Sequence, residues 1–385
     1  MDRRRRSVVS APWFALVCAA MACSLGLPRP TEVSPPPATS ALATEEIPLP
    51  TGASSEPIIV AHLEPDFYFY DTAGQLLETR SAEGLSWARP NTAQVIGDAV
   101  YYVAGGDGDQ GEVVRRVTST ETTNLDFTRA ESFSGMAFAV SSDGERIAWS
   151  NTVWDGPAPV SQLWMAEIDG ESPTLVAQTD PVDDVPEWFV LEPVTWLGDG
   201  DLVYAWQVTG IGGYILFFGW SSLYRYNPTS AAVTLLAPVG PEVGPPCWND
   251  LTSDGAFAVG ACGAAGQVVE RATNSGLETA FPLLPDQGQS GAGAYTPSGD
   301  RLAYAIALGD PDNEAGQLVV IPSRGEGPAV VASHAPGAFD AILWLDEDRM
   351  AAGYWQGDAT FVDLVTSDGA RSLIGEGRLV GLMRP

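Results

Sequence analysis

Residues Met136–Ser150 read MAFAVSSDGERIAWS, two short apolar runs on either side of Asp143-Gly144. An Asp-Gly pair between alternating apolar residues is the strongest short-range signal for a β-hairpin, because glycine accepts the backbone angles that a tight turn demands. This segment therefore predicts two antiparallel strands joined by a tight turn.

Similar turn signals recur at intervals of roughly 45 to 55 residues, the period of a four-stranded propeller blade. Each precedes a short apolar or aromatic run that is typical of a strand. The turns are Gly97-Asp98, Asp143-Gly144, Gly198–Asp201, Asp254-Gly255, Ser298–Asp300 and Asp346–Asp348. Two more strand-like runs follow each hairpin, as Gln162–Ile168 and Thr174–Gln178 do in the third unit. The chain is therefore predicted to be a repeat protein.

The repeat resembles the TolB-type, WD40-like propeller unit, whose core is Ser-x-Asp-Gly followed by Ile-Ala and an aromatic residue. The matching segments are Ser142-Asp143-Gly144-x-x-Ile147-Ala148-Trp149 and, less closely, Pro297-Ser298-Gly299-x-x-Leu302-Ala303-Tyr304. The resemblance covers most of residues 57–385 and implies a β-propeller. It implies no particular activity, because propellers of this kind serve as binding modules and as enzymes alike.

The alternative fold is a two-sheet β-sandwich in which the Asp-Gly turns are accidental. Strands of a sandwich have one polar face and therefore alternate cleanly. Here Met136, Phe138 and Val140 occupy one face of a predicted strand, and Ala137 and Ala139 occupy the other. Blades that stack face to face bury both faces, so this pattern favours the propeller.

Six complete units begin near residues 92, 135, 192, 248, 292 and 340, and a fragment remains at each end. Three strand-like runs at the front (58–63, 67–71 and 76–79) lack an innermost partner, and Arg378–Met383 is a lone strand at the back. Because a ring of sheets must hide its edges, the two fragments are predicted to share one blade. The predicted fold class is all-β, a seven-bladed β-propeller of four-stranded antiparallel blades over residues 57–385, closed by the N- and C-terminal strands.

The first 23 residues read as an export signal, with a basic start at Asp2–Arg6 and an apolar run over Val8–Ala22. Small residues before Cys23 resemble a bacterial lipobox, in which the cysteine becomes the lipidated N-terminus. The alternative is a plain secretory signal with an incidental cysteine. Residues 24–56 are rich in Pro, Ser and Thr and predict a tether. We therefore expect a protein of the bacterial cell envelope that is lipid-anchored to a membrane or secreted.

The formal net charge is −30, and all 19 basic residues are arginines. Removal of residues 1–22 takes away four Arg and one Asp, which leaves −33. Such an acidic surface repels phosphate, so nucleic acid is not an expected partner. The absence of lysine also excludes Schiff-base chemistry. The sequence does not indicate an oligomeric state.

Cys247 and Cys262 are the two cysteines of the predicted propeller. A two-residue turn at Asp254-Gly255 would place them directly opposite on adjacent strands, and a three-residue turn would place them diagonally. In an oxidising envelope compartment we expect a disulfide, with two buried free thiols as the alternative.

The predicted loops differ between the two faces of the ring. Turns between the first and second and between the third and fourth strands are short, whereas the other face carries long predicted loops that include Asn151–Ser161, Gln207–Ser221 and Leu308–Gly316. Long loops on a rigid scaffold are where binding usually occurs. The candidate ligand-binding residues on this face are Asp107, Asp109, Trp154, Asp155, Asp183, Asp184, Trp188, Asp310, Asp312, Glu314, Trp355 and Asp358. They suit a cationic or sugar-like ligand, and the alternative is a solvated acidic surface.

Two carboxylate clusters place oxygen atoms on alternate residues, as calcium prefers. They are Asp107-Gly108-Asp109-x-Gly111-Glu112 and Asp310-x-Asp312-x-Glu314. Neither matches a complete EF-hand loop, and ordinary turn chemistry also explains them. We therefore expect no cofactor, with calcium as the alternative.

Residues Gly210–Trp220, GIGGYILFFGW, are an unusually apolar insertion. An exposed apolar tip would contact a protein or a membrane. The alternative is that the insertion folds over the ring and is buried.

No catalytic residue can be assigned from the sequence. Gly288-Gln289-Ser290-Gly291-Ala292 is not a nucleophile elbow, and His62 and His334 lie in or near predicted strands. The first functional hypothesis is therefore a non-enzymatic propeller that binds a protein or a small ligand on its long-loop face. The rival is a propeller hydrolase or lyase that acts on a glycan or peptide with carboxylate catalysis. Two carboxylates about 5–10 Å apart in a pocket with aromatic walls would favour the rival.

Overall fold

The computed structural model describes residues 56–86, 92–105, 111–130, 135–155, 158–179, 188–209, 217–238, 247–262, 266–284, 288–308, 315–325 and 327–384. These residues form seven four-stranded antiparallel sheets, which are the blades of a β-propeller. The strands of blades 1 to 4 are β1 (Ile58–Leu63), β2 (Asp66–Tyr70), β3 (Leu76–Ser81), β4 (Ala93–Ile96), β5 (Ala99–Gly105), β6 (Glu112–Val117), β7 (Thr122–Ala130), β8 (Phe138–Val140), β9 (Arg146–Asp155), β10 (Ala158–Glu167), β11 (Thr174–Gln178), β12 (Trp188–Trp196), β13 (Leu202–Thr209), β14 (Ser222–Asn227) and β15 (Ala232–Ala237).

The strands of blades 5 to 7 are β16 (Trp248–Leu251), β17 (Phe257–Gly260), β18 (Val269–Ala272), β19 (Glu278–Ala280), β20 (Ser290–Tyr295), β21 (Arg301–Leu308), β22 (Ala315–Pro322), β23 (Val330–Ala335), β24 (Phe339–Trp344), β25 (Arg349–Gln356), β26 (Ala359–Thr366) and β27 (Arg371–Glu376). The last strand, β28 (Arg378–Met383), belongs to blade 1. Within the described ranges, no helix has the length and apolar character that a membrane crossing requires.

The two ends of the chain share blade 1, as the sequence predicts. Its strand order is β28-β1-β2-β3, so that the C-terminal strand is the innermost one. The antiparallel pair runs from Ile58 opposite Met383 to His62 opposite Arg378, with a bulge at Val60/Ala61. The final strand therefore closes the ring by pairing with the first.

The buried apolar side chains explain why both strand faces are apolar in the sequence. They form seven clusters, and each cluster lies between two neighbouring blades. In one of them, Val60 and Phe67 of blade 1 pack against Val100 and Tyr102 of blade 2. Because a blade contributes one face to each of two clusters, neither face can be polar. The predicted propeller is confirmed, and the sandwich is wrong.

The Asp-Gly hairpins are wider than the sequence predicts. The N–H of Ser141 donates to the carbonyl of Arg146 at 2.9 Å, so four residues separate these two positions. The Asp143 carboxylate accepts from the N–H of Glu145 at 3.0 Å, and Gly144 has a φ of 74°. The turn is therefore longer than the two- or three-residue turns considered for an Asp-Gly hairpin, because the short polar side chains bond the turn's own N–H groups and stabilise a four-residue turn.

Inter-blade contacts repeat along the ring. The Trp196 Nε1–H donates to the carbonyl of Ala139 at 3.0 Å, and the Arg146 guanidinium lies 4.5 Å from the Trp196 ring centroid. Trp344 repeats both contacts between blades 6 and 7. A tryptophan that ends an innermost strand thus joins its blade to the preceding one.

Candidate functional site

The innermost strands surround a central channel, and the chain direction gives the ring two different faces. On one face, which we call the loop face, the second strand of each blade connects to the third and the fourth strand connects to the next blade. On the opposite face, the turn face, the first strand connects to the second and the third to the fourth. A cavity of about 260 Å³ lies in the channel where the innermost strands begin, near the loop face. We call it the channel-mouth cavity. Its described lining is Ala93, Phe218, Trp220, Asn249, Ala292, Gly293, Asp340, Ala341, Ile342, Leu343, Arg378, Leu379 and Val380.

A short segment from blade 4 enters the channel and forms one wall of this cavity. Residues 217–221, the channel segment, precede β14, yet Phe217 packs in the cluster between blades 6 and 7 and is 7% exposed. A Cβ on Gly291 of β20 would lie 2.3 Å from the Cβ of Phe217. Phe217 can therefore occupy this position only because residue 291 is a glycine.

Backbone hydrogen bonds hold the channel segment against blade 5. The N–H of Trp220 donates to the carbonyl of Trp248 at 2.7 Å, and the N–H of Cys247 donates to the carbonyl of Trp220 at 3.1 Å. The Asn249 Nδ2 group donates to the carbonyl of Phe218 at 2.7 Å. The segment thus pairs with the first residues of β16 and narrows the channel.

A disulfide joins Cys247 to Cys262 beside the channel segment, with the two Cα atoms 5.0 Å apart. The carbonyl of Cys247 accepts from the N–H of Ala261 at 3.0 Å, so Cys262 lies one residue beyond the position opposite Cys247. The pair is therefore diagonal. A Cβ on Gly219 would lie 2.9 Å from the Cys247 backbone, so the bridged strand end and the segment are in close contact.

The apolar insertion turns inward over its described residues. Phe217 and Trp220 are 7% and 8% exposed, whereas Phe218 is 36% exposed. Tyr214, Ile215 and Leu216 lie outside the described residues. For Phe217 and Trp220, burial in the ring is the correct alternative.

Two opposite charges face each other in the cavity lining. The Arg378 Nε lies 3.8 Å from the Asp340 Oδ2, and the two side chains are 36% and 12% exposed. Burial raises the pKa of Asp340, while a hydrogen bond from Trp355 and the charge of Arg378 act in the opposite direction. An Arg–carboxylate pair of this kind presents planar donors and acceptors to a ligand.

Two buried polar atoms belong to residues of the same lining. The Trp220 Nε1 and the Asn249 Oδ1 have no hydrogen-bond partner in the part of the chain that the structure describes. A buried donor or acceptor without a partner costs about 1–3 kcal/mol. Trp220 of the channel segment and Asn249 of β16 thus hold one buried donor and one buried acceptor without a partner among the described residues.

The structure describes only some of the residues predicted on the long-loop face. Asp107, Asp109, Asp183, Asp184, Asp310, Asp312 and Glu314 lie outside the described residues. Trp154 and Asp155 end β9 and Trp188 begins β12, but their side chains also lie outside the described part. Trp355 is 42% exposed near the end of β25, and Asp358 is exposed in the following turn. Of the predicted residues whose side chains are described, Trp355 lies close enough to Asp340 to oppose the rise in the pKa of that carboxyl.

The predicted loop Asn151–Ser161 is wrong. Strands β9 and β10 continue through it, with Asn151 opposite Gln162 and Asp155 opposite Ala158. Paired strands therefore occupy the described part of the predicted loop.

The described residues do not form a calcium site. In the described ranges, no group of three or more His, Cys, Asp or Glu side chains is placed to hold a metal ion. Glu112, the described member of the first predicted cluster, accepts from the Ser86 hydroxyl at 3.2 Å and from the N–H of Met136 at 2.6 Å. The remaining carboxylates of both predicted clusters lie outside the described residues.

A second channel cavity, of about 230 Å³, lies at the turn-face ends of β4, β8 and β12. Its amide and indole groups already join blades. Gln94 donates to the carbonyl of Phe138 and accepts from the N–H of Val140, both at 3.0 Å, and Trp196 bonds Ala139. We therefore assign the candidate site to the channel mouth.

Asp340 is the one carboxylate of the described cavity lining. Asp250, on β16 beside Asn249, lies outside that lining. Its Oδ2 accepts from the N–H of Tyr295 on β20 at 2.9 Å. Burial raises the pKa of Asp250 to about 6, although the N–H groups of Tyr295 and Leu251 favour the ionised form.

Asp250 should make stability depend on pH. The folded state holds the Asp250 proton more tightly than an unperturbed aspartate with a pKa of 3.8, so the free energy of unfolding should fall as pH rises from about 4 to about 6. Asp250→Asn keeps an oxygen acceptor without charge. It should raise the free energy of unfolding by about 1–3 kcal/mol at pH 8 and change little at pH 4. Urea unfolding at both pH values measures this, with Asp169→Asn at an exposed turn as the control. Equal destabilisation at both pH values would refute the assignment.

The sequence does not single out Trp220, Asn249, Asp340 or Arg378 as a group. They come from the connection before β14 and from β16, β24 and β28, which are far apart in the chain. One signal was available, because Asp340 and Arg378 are charged residues at the starts of two otherwise apolar innermost strands, FDAILW and RLVGLM. A charge in an innermost strand either pairs or faces the channel.

No protein-family model matches the chain, and no curated protein matches it. Solved structures do match. A prolyl endopeptidase structure is 12% identical with a TM-score of 0.53, and the match covers 84% of this chain and 50% of that one. The chain therefore spans about half the length of that protein. A putative 6-phosphogluconolactonase from Bacteroides fragilis is 15% identical with a TM-score of 0.52, and the match covers 86% of this chain and 99% of that one.

TolB structures are also among the matches. TolB from Acinetobacter baumannii is 10% identical with a TM-score of 0.44, over 84% of this chain and 80% of that one. At these identities the similarity concerns the fold alone. The chain is a seven-bladed β-propeller, and the function must be argued from its own residues.

Proposed function

We propose that this propeller is a non-enzymatic binding protein that takes a small ligand into the channel-mouth cavity from the loop face. The observation that supports this proposal is the Asp340–Arg378 pair, in which the Arg378 Nε lies 3.8 Å from the Asp340 Oδ2. The aromatic side chains of Phe218 and Trp220 line the same cavity. Concave sites that combine apolar and aromatic surface with a few convergent polar groups are the usual form of small-ligand sites.

Binding is favoured over the rival hydrolase or lyase hypothesis by the carboxylate count. Glycoside chemistry needs two carboxylates that flank the bond to be broken. The described lining supplies Asp340 alone, and Asp250 bonds the backbone of β20 instead. A ligand held by one carboxylate, one guanidinium and two aromatic rings is positioned but has no second acid or base among the described groups.

A cavity-filling variant tests this function. Ala341→Phe places a ring into the lining on β24, whereas Ala232→Phe makes the same change on the exposed outermost strand β15. Thermal unfolding is measured with a panel of neutral sugars, amino acids and quaternary amines. At least one compound should raise the melting temperature of the wild type and of Ala232→Phe, and Ala341→Phe should lose the shift. A shift that persists in Ala341→Phe, or a panel without any shift, would contradict the proposal.

The envelope location is part of the same proposal, with Cys23 as the lipidated residue and residues 24–56 as the tether. Support comes from the basic and apolar segments that precede small residues at Cys23. Expression in a bacterium with labelled palmitate should label the wild type and Cys18→Ser but not Cys23→Ser. Label on Cys23→Ser would contradict anchoring at this residue.

A further inference from the structure

We infer that the ligand of the channel-mouth cavity is a single uncharged sugar ring. This inference rests on the proposed function, and it specifies the chemical class of the ligand. Four properties of the cavity lead to it: its charge, its rings, its buried polar atoms and its size.

The charge of the lining is balanced although the whole protein is strongly acidic. Asp340 and Arg378 supply one negative and one positive charge at 3.8 Å, and no other ionisable side chain belongs to the described lining. A singly charged ligand would compete with one member of this pair for the other and would leave the half-enclosed site with a net charge, which is costly. An uncharged ligand with hydroxyl groups can instead donate to Asp340 and accept from Arg378.

The walls suit a ring with one apolar and one polar side. The rings of Phe218 and Trp220 stand edge to face with centroids 5.8 Å apart, and Phe218 is 36% exposed. Ile342 and Leu379 add aliphatic surface to the lining. Aromatic faces carry negative charge density and attract the C–H groups of a sugar face.

The buried polar atoms call for a group that both donates and accepts. The Trp220 Nε1 is a donor, the Asn249 Oδ1 is an acceptor, and neither has a partner within the described chain. Hydroxyl groups fill both roles because each has one donor hydrogen and two acceptor lone pairs. Both atoms are covered in this structure, so a ligand reaches them only after a neighbouring side chain shifts.

The volume suits a ligand of one ring. The described cavity of about 260 Å³ has room for a monosaccharide. It is too small for a folded protein element such as a helix, whose diameter is about 10–12 Å.

Titration calorimetry on the full-length protein tests the charge preference with rings of equal shape. The probes are D-glucose and N-acetyl-D-glucosamine, the anions D-glucuronate and glucose 6-phosphate, and the cation D-glucosamine. At least one neutral ring should bind about tenfold or more tightly than its charged counterparts. Preference for a charged ring would overturn the inference.

Variants of the charge pair should change that preference in opposite directions. Asp340→Asn removes the negative charge of the described lining and keeps the positive charge of Arg378, so D-glucuronate should gain about tenfold in affinity relative to D-glucose. Arg378→Gln should give the same advantage to D-glucosamine. Asp169→Asn, which makes the same charge change at an exposed turn, should leave the order of affinities unaltered. A uniform loss for all probes in both pair variants, with no change of order, would contradict the inference.

Trp220→Phe keeps an aromatic ring and removes the indole donor. Neutral-ring affinity should fall about tenfold, and circular dichroism should be unchanged. Unaltered affinity would contradict the role of this donor.

The outcomes separate the inference from the proposed function. If no sugar binds, but another compound of the panel raises the melting temperature of the wild type and not of Ala341→Phe, the inference fails and the proposed function stands. If no compound binds in the cavity, both fail.

Discussion

Deletion of Gly377–Pro385 is expected to abolish cooperative folding of the propeller. The deleted segment contains β28, the innermost strand of blade 1, which pairs with β1 from Ile58 to His62. Its loss exposes the inner edge of β1 and removes Leu379 from the cluster between blades 7 and 1. We expect a loss of more than about 5 kcal/mol in the free energy of unfolding, the scale of the whole stability of many domains. Calorimetric unfolding of the truncated chain measures it.

A circular permutant is the matched control for this deletion. Joining residue 385 to residue 56 through a short linker makes blade 1 continuous, and new ends at the exposed turn Gly357-Asp358 leave all its strands in place. The permutant should melt cooperatively near the wild-type temperature. A truncated chain that melts at the wild-type temperature would show that β28 does not close the ring.

Gly291→Ala should expel Phe217 from the channel. The new Cβ would lie 2.3 Å from the Phe217 Cβ, and no rotamer change relieves a clash between two Cβ atoms. Overpacking of a core costs about 1–3 kcal/mol, and the displaced Phe217 also loses its contacts between blades 6 and 7. We therefore expect a loss of about 3 kcal/mol or more, together with the loss of small-ligand binding.

Gly105→Ala is the control for that substitution, because its new Cβ would meet no atom closer than 3.8 Å. Chemical unfolding of both variants should separate them clearly. Equal stability of the two variants, with binding retained in Gly291→Ala, would contradict the position of Phe217.

The sequence predicts the ring because its signals are local and repeated. Turn residues punctuate each hairpin, and Met136–Val140 shows that both strand faces are apolar. The shared blade follows from counting strands, since Arg378–Met383 is left as a single strand after six complete units, and it pairs with β1 in the structure. Turn length was harder to predict, because Ser141 and Asp143 side chains bond the turn backbone and stretch the Asp-Gly turn to four residues.

The candidate site could not be predicted in the same way. Trp220, Asn249, Asp340 and Arg378 meet only because the ring brings four distant segments to one channel. The inward path of the channel segment depends on Gly291, more than 70 residues later in the chain, and no local pattern encodes that contact. Acidic residues are numerous on the predicted loop face, whereas the described site contains one carboxylate that lies beside one arginine.

The acidic surface and the balanced cavity have different roles in this view. A net charge of −30 keeps anions away from the ring at long range and is screened by salt. Within the cavity, we propose that the short-range pair of Asp340 and Arg378 governs which ligand is bound. Binding of a neutral ring should therefore change little with ionic strength.

Hydrogen exchange on the full-length protein tests the location of binding most directly. Exchange is compared with and without the tightest-binding compound of the panel of sugars, amino acids and quaternary amines. We expect slower exchange in the channel segment 217–221, at the start of β24 and at the start of β28, with little change in the outermost strands. Protection confined to the outermost strands or to the turn face, with unchanged exchange at these three segments, would contradict binding at the channel mouth.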